Sequence, residues 1–485
     1  MATRATTAAR SGNAGITLSL VGWLFLVELT SGILQGYYPV LIPDIVKYLG
    51  VRDADYNWFE AAQLAVSAIS IPVLAKLGDR FGHKRILLVS TLVTAAATWW
   101  LAFAPTFTTY LIAFAIQGFY TVWLGLEIAI IFDRGRRSDV GVSHTRRAAG
   151  WLIVALELGA ILGDLAAAQL FESTGSIPIS LIVPAACVTL VFFAIWLGVP
   201  ASEPVPTGER IDSLGFALLA LALVLITGGL ALLRALGPGD VWVWVAIAAG
   251  LLALWPFARV ELRSKDPGID LRVMRRSTMW PIIVTAGLIG ISVLGAQTPL
   301  STFAGTDPQT AGFGLGLGSG MRSILIGVYL VSLIIGATVF PTISAKASPR
   351  AAMILGAALV AIGYLALLPF HASLLEVLGD IVIAGFGTGA LLGALPAAAA
   401  AAAPHGQTGA ASAMTNTTKI IGGGIASAVF GVALATGASD AADSTAASLA
   451  GYYTVWAICG LGGVAATILL FFVPKAAFAD RPAED

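Results

Sequence analysis

Apolar runs long enough to cross a bilayer, which takes about 20 residues, recur along the chain between short polar breaks. Divided at proline, glycine and charge clusters, they form fourteen candidate spans. These lie near 16–42, 56–77, 85–104, 108–132, 148–170, 178–199, 213–234, 241–261, 278–302, 322–345, 351–370, 374–400, 410–436 and 448–473. Apolar residues cover all sides of each run without an alternation of period two, so the pattern predicts helices and argues against a β-barrel. An all-α polytopic membrane protein follows.

Composition agrees. Only 11% of the 485 residues are charged, against roughly 25% in a soluble domain, too few to clothe the several soluble domains this length would suggest. The 27 basic and 27 acidic residues cancel and no basic stripe stands out, which excludes a nucleic-acid binder. A hydrophobic share of 58% excludes intrinsic disorder. The two cysteines, Cys187 and Cys459, lie inside apolar runs and make no disulfide framework.

Placing the charges gives topology, because cytoplasmic loops collect Lys and Arg. With the N-terminus inside, twenty-two of the 27 basic residues fall on inner segments; Lys47, Arg52, Arg234 and Arg322 fall outside, and Lys419 falls within a span. Both termini are therefore expected in the cytoplasm, in the plasma membrane. The stretch from Ile16 is longer than a signal-peptide core, and no cleavable signal is expected. The Asn416-Thr417-Thr418 triplet lies at membrane depth and is no glycosylation site. Glycines 312, 314, 316, 318 and 320 follow no strand and read as a flexible outer connector rather than a nucleotide loop.

The most specific motif is AKLGDRFGHKR, Ala75 to Arg85, in the inner loop after the second span. It combines an acid, a basic cluster and a turn-permitting glycine. Asp79 is placed to bond a helix N-terminus, where the macrodipole favours an anion. Making and breaking such a contact suits a two-state switch. An ordinary positive loop with a stray acid is the alternative.

This loop resembles the major facilitator superfamily signature G-x-L-x-D-R-x-G-R-R: Leu77, Asp79, Arg80, Gly82 and Lys84 match, with Ala75 for the first Gly and His83 for a basic residue. Trp58 fits a Trp that opens helix 2 in fourteen-helix relatives. Gly150, Gly159 and Gly163 hold the spacing of the family's antiporter motif in helix 5, although Asp164 replaces its Pro and Ala167-Ala168 its final Gly pair. The GGGIASA stretch, 422–428, and the two spans between six-helix halves are similar to the fourteen-helix drug:proton antiporters. In helix 4, Phe114 stands where relatives carry an Arg before the Gln117-Gly118 pair. Nine residues before Pro43, where relatives favour an Asp, stands Leu34; the nearest acid is Glu28. The resemblance implies a major facilitator fold divided as a cytoplasmic segment 1–15, a six-helix bundle 16–199, a linker 200–277 with two additional helices, a second bundle 278–473 and a cytoplasmic tail 474–485. It also implies that Asp79, Arg80, Gly82 and Lys84 gate the inward- and outward-facing states.

Charges inside the spans are the candidate chemistry. Each costs roughly 2.5–3.5 kcal/mol at the bilayer centre even on insertion scales. Glu28, Glu127, Glu157, Asp164 and Asp380 are the acids and Lys419 the base. Glu28 lies roughly 18 Å into its helix at 1.5 Å per residue. Glu157 and Asp164, seven apart, differ by about 20° around theirs, with Gly159 and Gly163 on another side. Carboxyls withdrawn from water can take up and release protons near neutral pH. A structural hydrogen bond, or a salt bridge to Lys419, is the alternative for each. Glu127, near the inner end, is expected to meet water, and Glu60 to be solvated outside. The four histidines fall in loops. Gln35, Tyr37, Gln117 and Trp123, with Tyr38, Tyr120, Tyr452, Tyr453 and Trp456, are candidates to line a cavity and hold a cation by their ring faces; an interfacial belt explains several of the rings equally well.

The expected function is a secondary transporter, working as a monomer in the lipid bilayer. It would exchange protons for an amphipathic small molecule whose cationic groups those acids could hold. The proton gradient, and no cofactor, would supply the energy. Proton-coupled uptake of a metabolite, or a lipid-moving or scaffold role on the same fold, are the alternatives. An enzyme is not expected, since no metal cluster, nucleophile triad or nucleotide loop stands out.

Overall fold

The computed structural model describes residues 18–137, 142–201, 212–403, 408–437 and 446–473. Among the described residues there is no strand, and fourteen helices are long and apolar enough to cross a membrane, as many as the apolar pattern predicts. They are α1 (Ser19–Leu49), α2 (Asp53–Phe81), α3 (His83–Ala102), α4 (Phe107–Ile131), α5 (Gly150–Thr174), α6 (Ile177–Gly198) and α7 (Ser213–Leu233). After these come α8 (Val241–Arg263), α9 (Trp280–Gly305), α10 (Ser319–Lys346), α11 (Pro349–Ala366), α12 (Leu374–Ala402), α13 (Ala411–Ala435) and α14 (Leu449–Leu470).

The first span does not stop near residue 42; α1 runs through Pro39 and Pro43 to Leu49. A proline lacks the N–H that would bond the carbonyl four residues earlier, and in a membrane a neighbour must satisfy that carbonyl. Pro43 frees the carbonyl of Pro39, which accepts a hydrogen bond from the Ser301 hydroxyl of α9. Pro184 in α6 likewise frees the carbonyl of Ser180, which accepts from the Tyr37 hydroxyl at 2.6 Å. The breaks therefore become contacts. A 3-10 turn at Gly118–Val122 interrupts α4, and a π-turn at Ile291–Gly295 interrupts α9.

Two six-helix bundles form with the same plan. In the first, α1 packs on α5 and α6, α3 on α4 and α6, and α2 on α4. In the second, α9 packs on α13 and α14, α11 on α12 and α14, and α10 on α12. Small residues set the closest crossings, as expected where lipid leaves van der Waals packing to drive association. A Cβ on Gly36 would lie 2.0 Å from the carbonyl oxygen of Ala160, and one on Gly159 2.0 Å from that of Leu29. The matching crossing in the second bundle repeats this: a Cβ on Gly290 would lie 2.0 Å from the carbonyl oxygen of Lys419, and one on Gly422 2.1 Å from that of Gly287. The bundles meet along two seams, α2 with α13 and α5 with α10. The additional helices α7 and α8 pair with each other, and α7 lies against both α2 and α13.

The glycine-rich connector after α9 is not a loose one. Gly312, Gly314 and Gly316 take positive φ angles, and the backbone N–H groups of Gly316 and Leu317 bond back to the carbonyls of Thr306 and Ala304 at 2.8 Å. The glycines supply a left-handed turn that docks the connector on the end of α9.

Candidate functional site

Links between the bundles gather in the half of the molecule farther from the chain termini. Besides the Ser301 bond to Pro39, the Arg322 guanidinium of α10 donates to the Asp44 carboxylate of α1. Glu172, near the end of α5, accepts from the Gly320 N–H at 2.8 Å, and Ser323 donates to Asp164 at 2.6 Å. The Ser427 hydroxyl of α13 lies 2.9 Å from the Asn57 carbonyl and 3.1 Å from the Glu60 carboxylate, both on α2. Glu60 is thus a cross-bundle partner and not a solvated outer acid. Arg322 is also more than an outer-loop charge: its side chain is 4% exposed. Neither role shows in sequence, because each depends on a partner hundreds of residues away.

In the half nearer the termini, α9, α12 and α13 line an open-sided pocket with an enclosed volume of about 40 Å³, with Ala286, Ile289, Leu391 and Leu395 as walls and Asn416 and Lys419 at its polar end. Glu157 of α5 and Lys419 of α13 act on one another electrostatically across this gap, yet neither makes an ion pair or hydrogen bond with any described residue. Both are half-buried. Asp164 lies on the same side of α5 as Glu157, one oxygen bonded to Ser323 and the other without a partner among the described residues. The acidic side of α5 thus looks toward the second bundle, while Gly159 and Gly163 pack on α1.

A second pair of acids lies within the first bundle. Glu28 and Glu127 are both buried and within electrostatic reach of one another. Both oxygens of Glu127 and one of Glu28 lack a hydrogen-bond partner among the described residues. Water does not reach Glu127 as expected, because α4 turns it inward beside α1. Helical geometry places Glu28, Gln35 and Pro39 along one face of α1, the face on which Ser301 reaches the Pro39 carbonyl. Gln35 is exposed there.

Other candidates turn away from the gap. Tyr37 bonds the α6 backbone, and the buried Trp123 indole N–H donates to Ser90 of α3 at 3.1 Å. Gln117 is buried in a network with Tyr38 (2.6 Å), Thr98 (3.1 Å) and Gln63 (3.2 Å). These are bundle-core contacts and correct the cavity-lining expectation for the three. Asp380, buried near the start of α12, is not among the residues that line the pocket, and one of its carboxyl oxygens has no partner among the described residues. Tyr452 and Trp456 are core rings around Phe303. Gly150 has open space where its Cβ would be, unlike the other two motif glycines.

The Ala75–Arg85 loop is built of short ties. Gly82 adopts φ +95°, open to glycine alone at little cost. The Asp79 carboxylate accepts from the His83 ring Nε2–H at 3.1 Å, and His83 is the first residue of α3. Asp79 therefore meets a side chain at that helix N-terminus rather than its backbone. Lys84 donates to the Trp196 carbonyl at 2.9 Å, near the end of α6, where a cation complements the helix dipole. Lys76 donates to the carbonyls of Asp266 (3.1 Å) and Pro267 (2.8 Å) beyond α8. Arg80 lies exposed with its guanidinium 5.5 Å from the Phe81 ring centre.

A family model described as Major Facilitator Superfamily matches residues 24–427. A triacylglyceride transporter of Mycolicibacterium hassiacum is 27% identical, over 85% of this chain and 78% of its own. The puromycin resistance protein Pur8 of Streptomyces alboniger is 26% identical, over 90% and 86%. Among solved structures, the POT family transporter PepTSo superposes with a TM-score of 0.66 at 13% identity, covering 93% of this chain and 97% of that one, which shows the shared fold. The relatives are transporters and not enzymes, and fourteen spans fit the drug:proton antiporter type. The chain belongs to the major facilitator superfamily of membrane transporters.

Proposed function

We propose that the protein exports amphipathic small molecules in exchange for protons, by alternating access, with both termini in the cytoplasm. The excess of Lys and Arg on the terminal side supports that orientation. It makes the present state closed to the outside, through the Arg322–Asp44, Ser323–Asp164 and Ser427–Glu60 links, and open to the cytoplasm at the pocket. The observation that carries proton coupling is the Glu28–Glu127 pair. Two carboxyls share one dry site, and no described base reaches ion-pair distance of either. A proton bound between them relieves like-charge repulsion. Asp164, through Ser323, holds and releases the second bundle as the seam opens and closes. Asp79, Arg80, Gly82 and Lys84 transmit that movement at the inner loop.

The test uses purified protein in liposomes loaded with a pH-sensitive dye and held under a pH gradient, with puromycin as the first probe, chosen from the relative's name. Probe addition should dissipate the gradient. Glu28→Gln and Glu127→Gln should each cut that flux at least tenfold while probe binding persists; undiminished flux in both sinks the assignment. A lipid-moving role is favoured by the apolar pocket wall and the triacylglyceride relative. Transfer of a fluorescent triacylglyceride between vesicles, with no response to puromycin, would select it.

A further inference from the structure

We propose that the pocket between α9, α12 and α13 binds an amphipathic organic anion, a carboxylate or phenolate on an apolar ring system, with the Lys419 ammonium as its counter-charge. This rests on the reading of the chain as a carrier and narrows its substrate class. The charge is opposite in sign to the one that the intramembrane acids suggest from sequence.

Three observations support it. The walls are aliphatic, from Ala286, Ile289, Leu391 and Leu395, and the polar end carries Asn416 and Lys419 with no carboxylate among the lining residues. Lys419 makes no hydrogen bond or ion pair with any described residue, and its half-buried side chain borders the open side. The nearest opposing charge, Glu157, belongs to the other bundle and acts across the gap without contact. Asp164 is occupied by Ser323, and Glu28 and Glu127 are within the first bundle.

The backbone that carries the ammonium is also firmly placed. The backbone at Lys419 is the point where α13 crosses α9 at Gly290, so close that a Cβ there would stand 2.0 Å from its carbonyl oxygen. The enclosed end of the pocket is small, about 40 Å³, below the volume of a whole ligand-sized cavity. It takes the acidic group alone, with the apolar ring system on the open side against the aliphatic walls. A desolvated ammonium with few competing acceptors favours a carboxylate over a neutral ester of the same shape.

Equilibrium fluorescence titration of the full chain in lipid nanodiscs, without any gradient, separates this from proton coupling. The probes are anthracene-9-carboxylate, its methyl ester and 9-(aminomethyl)anthracene. The wild-type chain should bind the carboxylate about tenfold more tightly than the ester, and the amine most weakly. Lys419→Met should abolish that preference while ester binding stays constant, which also reports that the variant is folded. Lys419→Arg should keep it within about threefold, and Glu157→Gln should tighten the carboxylate by removing the opposing charge. A wild-type preference for the ester or amine overturns the proposal. So does an undiminished preference in Lys419→Met. Weaker carboxylate binding in Glu157→Gln also overturns it, since removing an opposing negative charge should strengthen a direct contact between the anion and Lys419. Intact anion binding alongside absent proton exchange in liposomes would count against the exchange reading alone.

Discussion

Replacing Arg322 by Gln should open the half of the molecule farther from the chain termini. Arg322 and Asp44 form an ion pair between α10 and α1, with side chains 4% and 14% exposed. Removing one partner of a buried pair costs about 3–5 kcal/mol, because the remaining charge stays desolvated. Here that cost is confined to the state in which α1 and α10 are joined, since separation of the bundles lets water reach Asp44. Taking about 3 kcal/mol, the equilibrium should move toward the open form by roughly 10²-fold. Cysteines at the exposed positions Tyr48 and Gln309, spin-labelled after replacing Cys187 and Cys459, would report the outer separation by pulsed electron resonance. Arg322→Gln should shift the distance distribution to the longer population. Adding Asp44→Asn should return it partway, because no unpaired charge is then left buried. An unchanged distribution in the single variant, or no return in the double one, would refute this account of the outer seal.

Gly36→Val and Gly159→Val should each lower the thermal midpoint by several degrees and reduce the folded yield, since either Cβ would stand 2.0 Å from a carbonyl oxygen. Gly150→Ala, with open space at its Cβ, should behave as the wild type in the same melting experiment. Gly82→Ala should cost about 1–3 kcal/mol at φ +95° and ψ 127°, read as a lower midpoint in denaturant unfolding. Lys76→Met should free the segment around Asp266 and Pro267 and speed its cleavage by added protease, while Arg80→Met should leave that rate unchanged.

The span count and the two-bundle plan were legible because membrane helices must satisfy their backbone internally, so length and hydropathy nearly determine them. The packing side of α5 was legible for a similar reason: Gly159 and Gly163 lie within about 40° of each other on an ideal helix. What the helical period could not reveal was which side of α4 faces α1. For that reason Glu127, read as a wetted end, is buried beside Glu28. Tyr37 and Trp123 look like cavity aromatics by composition, but their partners are set by Pro184 in α6 and Ser90 in α3. Arg322 and Glu60 were missed because short-range patterns carry no information on contacts between the two bundles. The end of α1 was misjudged at Pro43, since a proline ends a helix in water more readily than one whose freed carbonyl finds a serine on a neighbouring span.

The contact of α7 with the bundles differs on its two sides. Toward α13 and α2 it is a patch of Leu64, Ala68, Leu219, Leu223, Phe257 and Ile420, all apolar. Such a surface can slide, exchanging one set of dispersion contacts for another without breaking a directional bond. The segment that follows α8, by contrast, is clasped by Lys76 of α2 through two backbone carbonyls. The helix pair is therefore tethered to the first bundle and greased against the second. When the bundles rotate, α7 and α8 should travel as cargo of the N-terminal half, a moving wall that keeps acyl chains out of the α2–α13 seam without resisting the stroke.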